Sequence, residues 1–327
     1  MLLKFFRKPL PSVLIATVFI GLLSWLGTLL SAGEPPVSYT DYGMPLFSLL
    51  ISVIPQGAFW AKFLALLMVM VNGLLLIQMN TKYILVRNRT HLPALFYILL
   101  CSGFTDLQTL TPSVFSAFFV ILALDSLFAT LNTNHLDGTF KAGFLISLGT
   151  LFYLPTVSVF LLMFFAIVIL NLSGVRPWLA AIAGFITPLF FTVFYYYYFN
   201  DEFQLVQIIT SVVEEGLPYG LVGLNDKSVV WLSFTLLLMV VSGINLMASL
   251  PTQKINVRKY HSVLLLMLLL VGMVTAFVPF ASVESLFLFS IPFSYLLSSY
   301  FNFVRNRFWS ELLFSLLLVM VLLIQLF

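Results

Sequence analysis

The sequence predicts an all-α polytopic membrane bundle of about eleven spans, and two observations carry that reading. Hydrophobic residues make up 61% of the chain and charged residues only 8%, far from the balance of a water-soluble domain; the mean hydropathy is +1.10. The few charges are also sorted. Counting apolar runs as crossings puts Lys4, Arg7, Lys8, Lys82, Arg87, Arg89, Lys141, Arg176, Lys254, Arg258, Lys259, Arg305 and Arg307 on one side. Glu34, Asp41, Asp106, Asp201, Glu202, Glu214, Glu215, Asp226 and Glu284 fall on the other. Positive charge near span ends stays cytoplasmic. The basic side is therefore inside, which places the N-terminus in the cytoplasm and the C-terminus outside a bacterial inner (plasma) membrane.

The apolar runs are 12–31, 57–79, 92–104, 111–131, 140–153, 155–172, 178–199, 229–249, 261–280, 283–302 and 309–327. The first follows Lys4, Arg7 and Lys8 like the core of a secretory signal, but it is 19 residues long if counted from Ser12 to Leu30. A signal core is about 7–15 residues and a spanning helix about 20, so the run reads as a retained first span. Runs 92–104 and 140–153 are short for a crossing. At 1.5 Å per residue a 13-residue helix covers roughly 20 Å of a hydrocarbon core of about 30 Å. Fusing 140–172 into one helix kinked at Pro155 would put Lys141 and Arg176 on opposite faces and reverse the sign of every later loop. Two spans are therefore kept, either of which can be re-entrant if other helices bury its backbone.

Pro45 to Ile54, bounded by Pro45 and Pro55, is too short to cross and predicts a helix at the outer interface near 45–54. Tyr195 to Tyr198 closes the seventh span where aromatic rings favour the headgroup zone. The longest outer loop covers 200–228. No repeat or linker divides 1–327, so the chain reads as a single transmembrane domain.

Several function classes are excluded. The net charge of +3 is accounted for by the inner loops, which leaves no basic surface for nucleic acid. Cys101 stands alone, so there is no disulfide or thiolate metal site. His91, His135 and His261 are far apart in sequence at inner span ends, a poor basis for a histidine metal cluster. No Walker loop, dinucleotide fingerprint, H-E-x-x-H or G-x-S-x-G occurs.

The candidate chemistry lies with outer acids and a few intramembrane charges. Asp41 stands in Tyr39-Thr40-Asp41-Tyr42-Gly43, just before the interfacial helix; Glu34 precedes it, held by Pro35-Pro36; Asp106 stands in Gly103-Phe104-Thr105-Asp106 of the second outer loop. A carboxylate at the membrane surface can act as a general base or hold a divalent cation against a phosphate; the plain alternative is a solvated loop acid or a helix cap. Lys62, near the outer end of the second span, suits a lipid phosphate or an interfacial anchor equally. Asp125 lies well inside an apolar run, where an ionisable group is a functional suspect; an ion pair with Lys141, or contact with water, is the favoured account.

This layout resembles the integral-membrane glycosyltransferases of the GT-C class, which have a first span, an acidic outer loop with juxtamembrane helices, and a second outer loop that often carries another acid. Asp41 followed by 45–54, and then Asp106, match that order. Ala142-Gly143-Phe144-Leu145-Ile146-Ser147-Leu148-Gly149-Thr150-Leu151-Phe152-Tyr153-Leu154-Pro155 is similar to the Gly-rich span of such enzymes. The resemblance covers roughly residues 1–200. It departs from the class in lacking an adjacent acid pair in the first loop and a soluble C-terminal domain. It implies a membrane glycosyltransferase using a polyprenyl-phosphate sugar at the outer face. Asp41 would be its base or metal ligand, Asp106 a second acid, Lys62 and Glu34 substrate contacts, and Mg or Mn its divalent cation. The chain is also similar to short bacterial multi-pass proteins for which the likeness supplies no function. The alternatives are a non-catalytic scaffold with a transferase-like fold, bound to membrane or periplasmic proteins, and, with less support, a transporter.

Overall fold

The computed structural model describes residues 2–31, 44–54, 57–86, 89–133, 137–172, 174–199, 206–211, 226–278, 283–303 and 307–326, with backbone alone at 106, 132, 133, 226, 307 and 326. Every regular element among them is helical. In order these are α1 (Leu2–Phe6), α2 (Pro11–Leu30), α3 (Pro45–Val53), α4 (Ala58–Tyr83), α5 (Leu92–Ser102), α6 (Pro112–Thr133) and α7 (Asp137–Phe152). Then come α8 (Val157–Ile169), α9 (Arg176–Phe199), α10 (206–211), α11 (Asp226–Ser249), α12 (Ile255–Phe277), α13 (Leu286–Phe303) and α14 (Arg307–Leu326). Among the described residues eight helices are long and apolar enough to cross a membrane: α2, α4, α6, α9, α11, α12, α13 and α14. The three remaining apolar runs form the shorter α5, α7 and α8.

Prolines set many of the starts, because a ring at the first turn removes only an N–H that the helix leaves unused; Pro11, Pro45, Pro93 and Pro155 serve this way. α4 stops where Ile84 adopts a left-handed conformation at φ 52°. Asn80 holds that turn: its Oδ1 accepts from Val86 N at 2.8 Å and its Nδ2 donates to Thr90 O at 3.3 Å.

The centre of the bundle is α5 and α13. Every residue of α5 is buried, and α13 is buried along almost its whole length between α5, α6, α11 and α12. A short helix can be this apolar and this enclosed only when neighbours replace the lipid on all sides. By contrast α9 leans chiefly on α7 and exposes Phe190, Phe191, Phe194, Tyr197 and Tyr198, as a lipid-facing helix would. The α7–α9 crossing is made by small residues. A Cβ added to Gly143 would lie 2.3 Å from Ala181 O, and one on Gly184 would lie 2.2 Å from Phe140 O. The two backbones touch, and only glycine permits it.

One end of the bundle gathers the helix ends that the loop charges assign to the inner side. Tyr83, Phe128 and Tyr260 form a ring cluster with centroids 4.5–5.6 Å apart. Cations there cap other helices: Arg7 Nε donates to Phe301 O at 2.8 Å and Lys259 Nζ to Leu170 O at 3.1 Å. The last carbonyls of a helix have no partner inside it and carry the negative end of its dipole. Arg7 and Lys259 thus also hold helix to helix.

Candidate functional site

The break between α5 and α6 is where this sequence departs from simple spanning helices. α5 is 11 residues, about 16 Å of rise, about half of a hydrocarbon core of about 30 Å. The chain then runs through Gly103 to Thr111 with one 3-10 turn at Thr105–Leu107 before α6 begins at Pro112. Thr, Ser and Asp compete with helical hydrogen bonds through their own side chains, and Pro112 fixes the restart. Gly103 is required at the turn because the Trp231 indole lies against it: a Cβ there would sit 1.9 Å from Trp231 Nε1.

This segment is recessed. Asn72 Nδ2 donates to Val114 O, in the first turn of α6, at 3.1 Å, and to Tyr97 Oη at 3.2 Å. Asn72 lies 14 residues inside the start of α4, about 21 Å along its axis, so α6 starts deep within the bundle. Non-helical backbone at membrane depth must be satisfied by protein, and here it is. Ser102 O accepts from Gln108 Nε2 at 2.8 Å and from Gln325 Nε2, near the end of α14, at 2.9 Å. Ser102 Oγ accepts from Trp25 Nε1 at 3.0 Å and lies 3.0 Å from Ser24 Oγ. Thr28 Oγ1 donates to Gln108 Oε1 at 2.7 Å. Trp231 Nε1 and Gln325 Oε1 have no hydrogen-bond partner among the described residues, which leaves one donor and one acceptor unused beside the break.

Two further helix breaks lie next to it. The α7–α8 connection turns at Leu154–Thr156, and the Thr156 and Ser116 hydroxyls are 2.5 Å apart, tying that turn to the second turn of α6. The chain before α13 forms a 3-10 turn at Val283–Ser285, which packs near α6 and is held to α12 by Ser285 Oγ and Thr275 Oγ1 at 2.6 Å. Glu284 in that turn is fully buried. Sequence reasoning placed it among the outer acids and gave it no role. The available signal was an acid set directly against an apolar run, with no loop to carry it into water.

Of the acids singled out from sequence, Asp41 and Glu34 lie outside the described residues, and Asp106 is described by its backbone alone, in the recessed 3-10 turn. The described residues on either side of 32–43 are placed, however, and both border 103–111. On one side Thr28 reaches Gln108, and on the other Phe47 of α3 packs with Leu110 and Phe115. Lys62 is buried at 5% exposure, and its Nζ donates to Ser31 O at 3.0 Å and Ser31 Oγ at 2.9 Å. It caps the C-terminus of α2 at the foot of the first outer loop, with one N–H left over. A purely interfacial anchor would be far more exposed.

Asp125 belongs elsewhere. Both its oxygens accept from Lys82 Nζ, at 3.0 and 2.9 Å, and its backbone carbonyl accepts from Tyr83 Oη at 2.7 Å. The partner is Lys82 rather than the expected Lys141, because α4 and α6 lie side by side and bring residues 43 apart into register. The side chains are 46% and 31% exposed, and such a pair contributes at most about 1 kcal/mol. It is a tie between α4 and α6 near the C-terminal end of α4.

Among the described residues no three His, Cys, Asp or Glu side chains converge as a metal site; Asp41 and the Asp106 side chain lie outside the described residues. Comparison with curated proteins gives no match. A family model matches residues 26–327, from the last third of α2 through all three breaks to Phe327, and the chain belongs to that family, a family of unknown function (DUF6427).

Proposed function

We propose that the protein is a membrane glycosyltransferase of the GT-C type that takes a polyprenyl-phosphate sugar at the outer face of a bacterial inner membrane. All eleven apolar helices enter the membrane in this reading, with α5, α7 and α8 as partial crossings whose outer ends are the recessed breaks. The observation that carries it is that the described chain on both sides of residues 32–43 packs against the α5–α6 break. Thr28–Gln108 on one flank and Phe47 against Leu110 on the other bring the chain on either side of Asp41 to the turn that contains Asp106.

In the mechanism, Asp41 accepts the proton of the acceptor hydroxyl as that oxygen attacks the anomeric carbon, and the polyprenyl phosphate departs with the bonding pair. In the alternative role Asp41, with Asp106 as the second acid, would hold the divalent cation, Mg or Mn, which would supply neutralisation of the leaving phosphate. Lys62, pinned to Ser31 by two hydrogen bonds, adds fixed positive charge at the same end. Glu34 contacts the sugar. A second reading, a non-catalytic scaffold for membrane or periplasmic proteins, draws on the extent to which Ser24, Trp25, Ser102 and Gln108 saturate one another. That pattern suits a structural lock.

The test is transfer from polyprenyl-phosphate sugars by protein purified with its native lipids, with and without divalent cation. The enzyme reading expects cation-dependent turnover, a loss of about 10²–10⁴-fold in Asp41→Asn, a smaller loss in Asp106→Asn and the least in Glu34→Gln. Wild-type turnover in Asp41→Asn sinks it, and no turnover in the wild type with any donor gives way to the scaffold.

A further inference from the structure

A second site lies in the inner half of the bundle, well apart from the outer breaks. α11 and α12 follow one another in the chain and both pack on α13, yet they touch each other little. This leaves a crevice floored by Pro292, Tyr295 and Leu296 of α13 and walled by Leu246 of α11 and by His261, Leu264 and Leu268 of α12. Its wall is apolar except at His261, and it encloses about 10 Å³, room for one hydroxyl or one water.

His261 is buried to 1% exposure about one and a half turns into α12. Its Nδ1 lies 3.0 Å from Val257 O. A carbonyl only accepts, so Nδ1 carries the proton and Nε2 presents a bare lone pair. Nε2 has no partner among the described residues. An orphaned acceptor in apolar surroundings is costly, and it calls for a ligand that donates one hydrogen bond and is otherwise apolar. A charged headgroup would be stranded without a counter-charge, and a lone imidazole is too few ligands for a metal. Water would find one good acceptor where it needs two to four partners. Beyond the crevice the outer surface of α12 continues as Leu269 and Met273, and that of α11 as Ile244 and Met247, all largely exposed and apolar. A hydrocarbon chain can lie along that surface.

We propose that His261 and this crevice form a binding site for an uncharged lipid with a single free hydroxyl, of the diacylglycerol type, whose O–H donates to His261 Nε2 while its chains lie between α11 and α12. The depth agrees. His261 sits six residues inside the start of α12, about 9 Å along the axis, where an uncharged hydroxyl rests more readily than a phosphate.

The experiment uses the full-length protein in phosphatidylcholine nanodiscs. Dioleoylglycerol with a photoactivatable diazirine in one chain is the probe, and mass spectrometry locates the label. Labelling should concentrate on α11 and α12 around Leu246, Leu264 and Leu268. Methylating the probe's hydroxyl, or replacing His261 by Phe, should each lower it about three- to tenfold, the worth of one neutral hydrogen bond. The methyl ether should not distinguish His261→Phe from wild type. Should His261→Phe fail to fold, the hydroxyl and methyl-ether probes on the wild-type protein decide alone: labelling around Leu246, Leu264 and Leu268 should still be about three- to tenfold lower with the ether. Equal labelling by hydroxyl and ether probes would overturn the proposal. So would label spread evenly over all lipid-facing helices, the result expected if Nε2 meets only water.

Discussion

Replacing Gln108 by Ala tests whether the recessed break is held by hydrogen bonds or merely enclosed by apolar neighbours. Gln108 is fully buried and makes three contacts: it accepts from Thr28 Oγ1 at 2.7 Å, and it donates to Ser102 O at 2.8 Å and Ser24 O at 3.4 Å. The last is too long to count for much. Side-chain hydrogen bonds between membrane helices average about 0.6 kcal/mol and reach about 1.7, so two good ones amount to about 1–3 kcal/mol. Truncation also leaves a small cavity. Neither partner is orphaned, because the single Thr28 hydroxyl proton can turn from Gln108 to Trp25 O at 2.9 Å and Ser102 O still accepts from Gln325. The single change should therefore cost roughly 2–3 kcal/mol rather than more. Gln325→Ala, which loses one such bond, should cost about 1 kcal/mol. In the double mutant Ser102 O loses both amide donors, and a buried carbonyl left unmet adds a penalty absent from either single change. The double should thus exceed the sum by about 1 kcal/mol, a coupling typical of residues that share a partner. Equilibrium unfolding in mixed micelles, titrated with SDS, measures all four corners of the cycle. Strict additivity, or less than about 0.5 kcal/mol for Gln108→Ala, would refute the picture of a hydrogen-bonded hub at Ser102.

Three other outcomes follow from the same geometry. Asp125→Asn should lower stability by no more than about 1 kcal/mol and leave any assayed function within a few-fold, because its pair with Lys82 is part exposed; loss of function at normal abundance would instead mark a proton relay. Burial lowers the pKa of His91 below its ordinary value, so folding favours its neutral form. That contribution is full above the unfolded value of about 6.5 and declines as the pH falls below it. Thermal unfolding at pH 7.5 and 5.5 should accordingly show a loss at the lower pH that shrinks in His91→Gln. Cysteines at Ser38 and Gly216 should label from outside intact spheroplasts and one at Thr252 only after permeabilisation, the pattern that loop charge dictates; labelling of Thr252 from outside would reverse the topology.

The helices were largely legible from composition because apolar runs bounded by charge and proline leave few alternatives. The all-helical architecture follows from that pattern, which yields eleven apolar runs, whereas eight of the described helices are long and apolar enough to cross a membrane. The depth of the α5–α6 break was not legible. The run 92–104 announced itself as short, but its burial depends on Gln325, 223 residues away, and on Trp231 closing over Gly103. Long-range partners of this kind leave no local periodicity. Asp125 illustrates the same limit: Lys141 is nearer in sequence, but the register of α4 against α6 selects Lys82. The sequence left Lys62 evenly between a phosphate partner and an interfacial anchor, and its role as the cap of α2 required the end of α2 to be placed in space. Glu284 was read by its loop and not by its burial.

The central claim is that the first and second outer loops meet at one site, with Asp41 beside Asp106. Cysteines placed at positions 41 and 106, in a Cys101→Ser background, test it in native membranes with a short bifunctional maleimide that spans about the width of a bound cation and its two carboxylates. The account predicts efficient cross-linking within one chain, reduced when a cysteine at position 216, in the long outer loop, replaces the one at 41. Absence of any 41–106 cross-link, with both cysteines reactive toward a monofunctional reagent from outside, would contradict it.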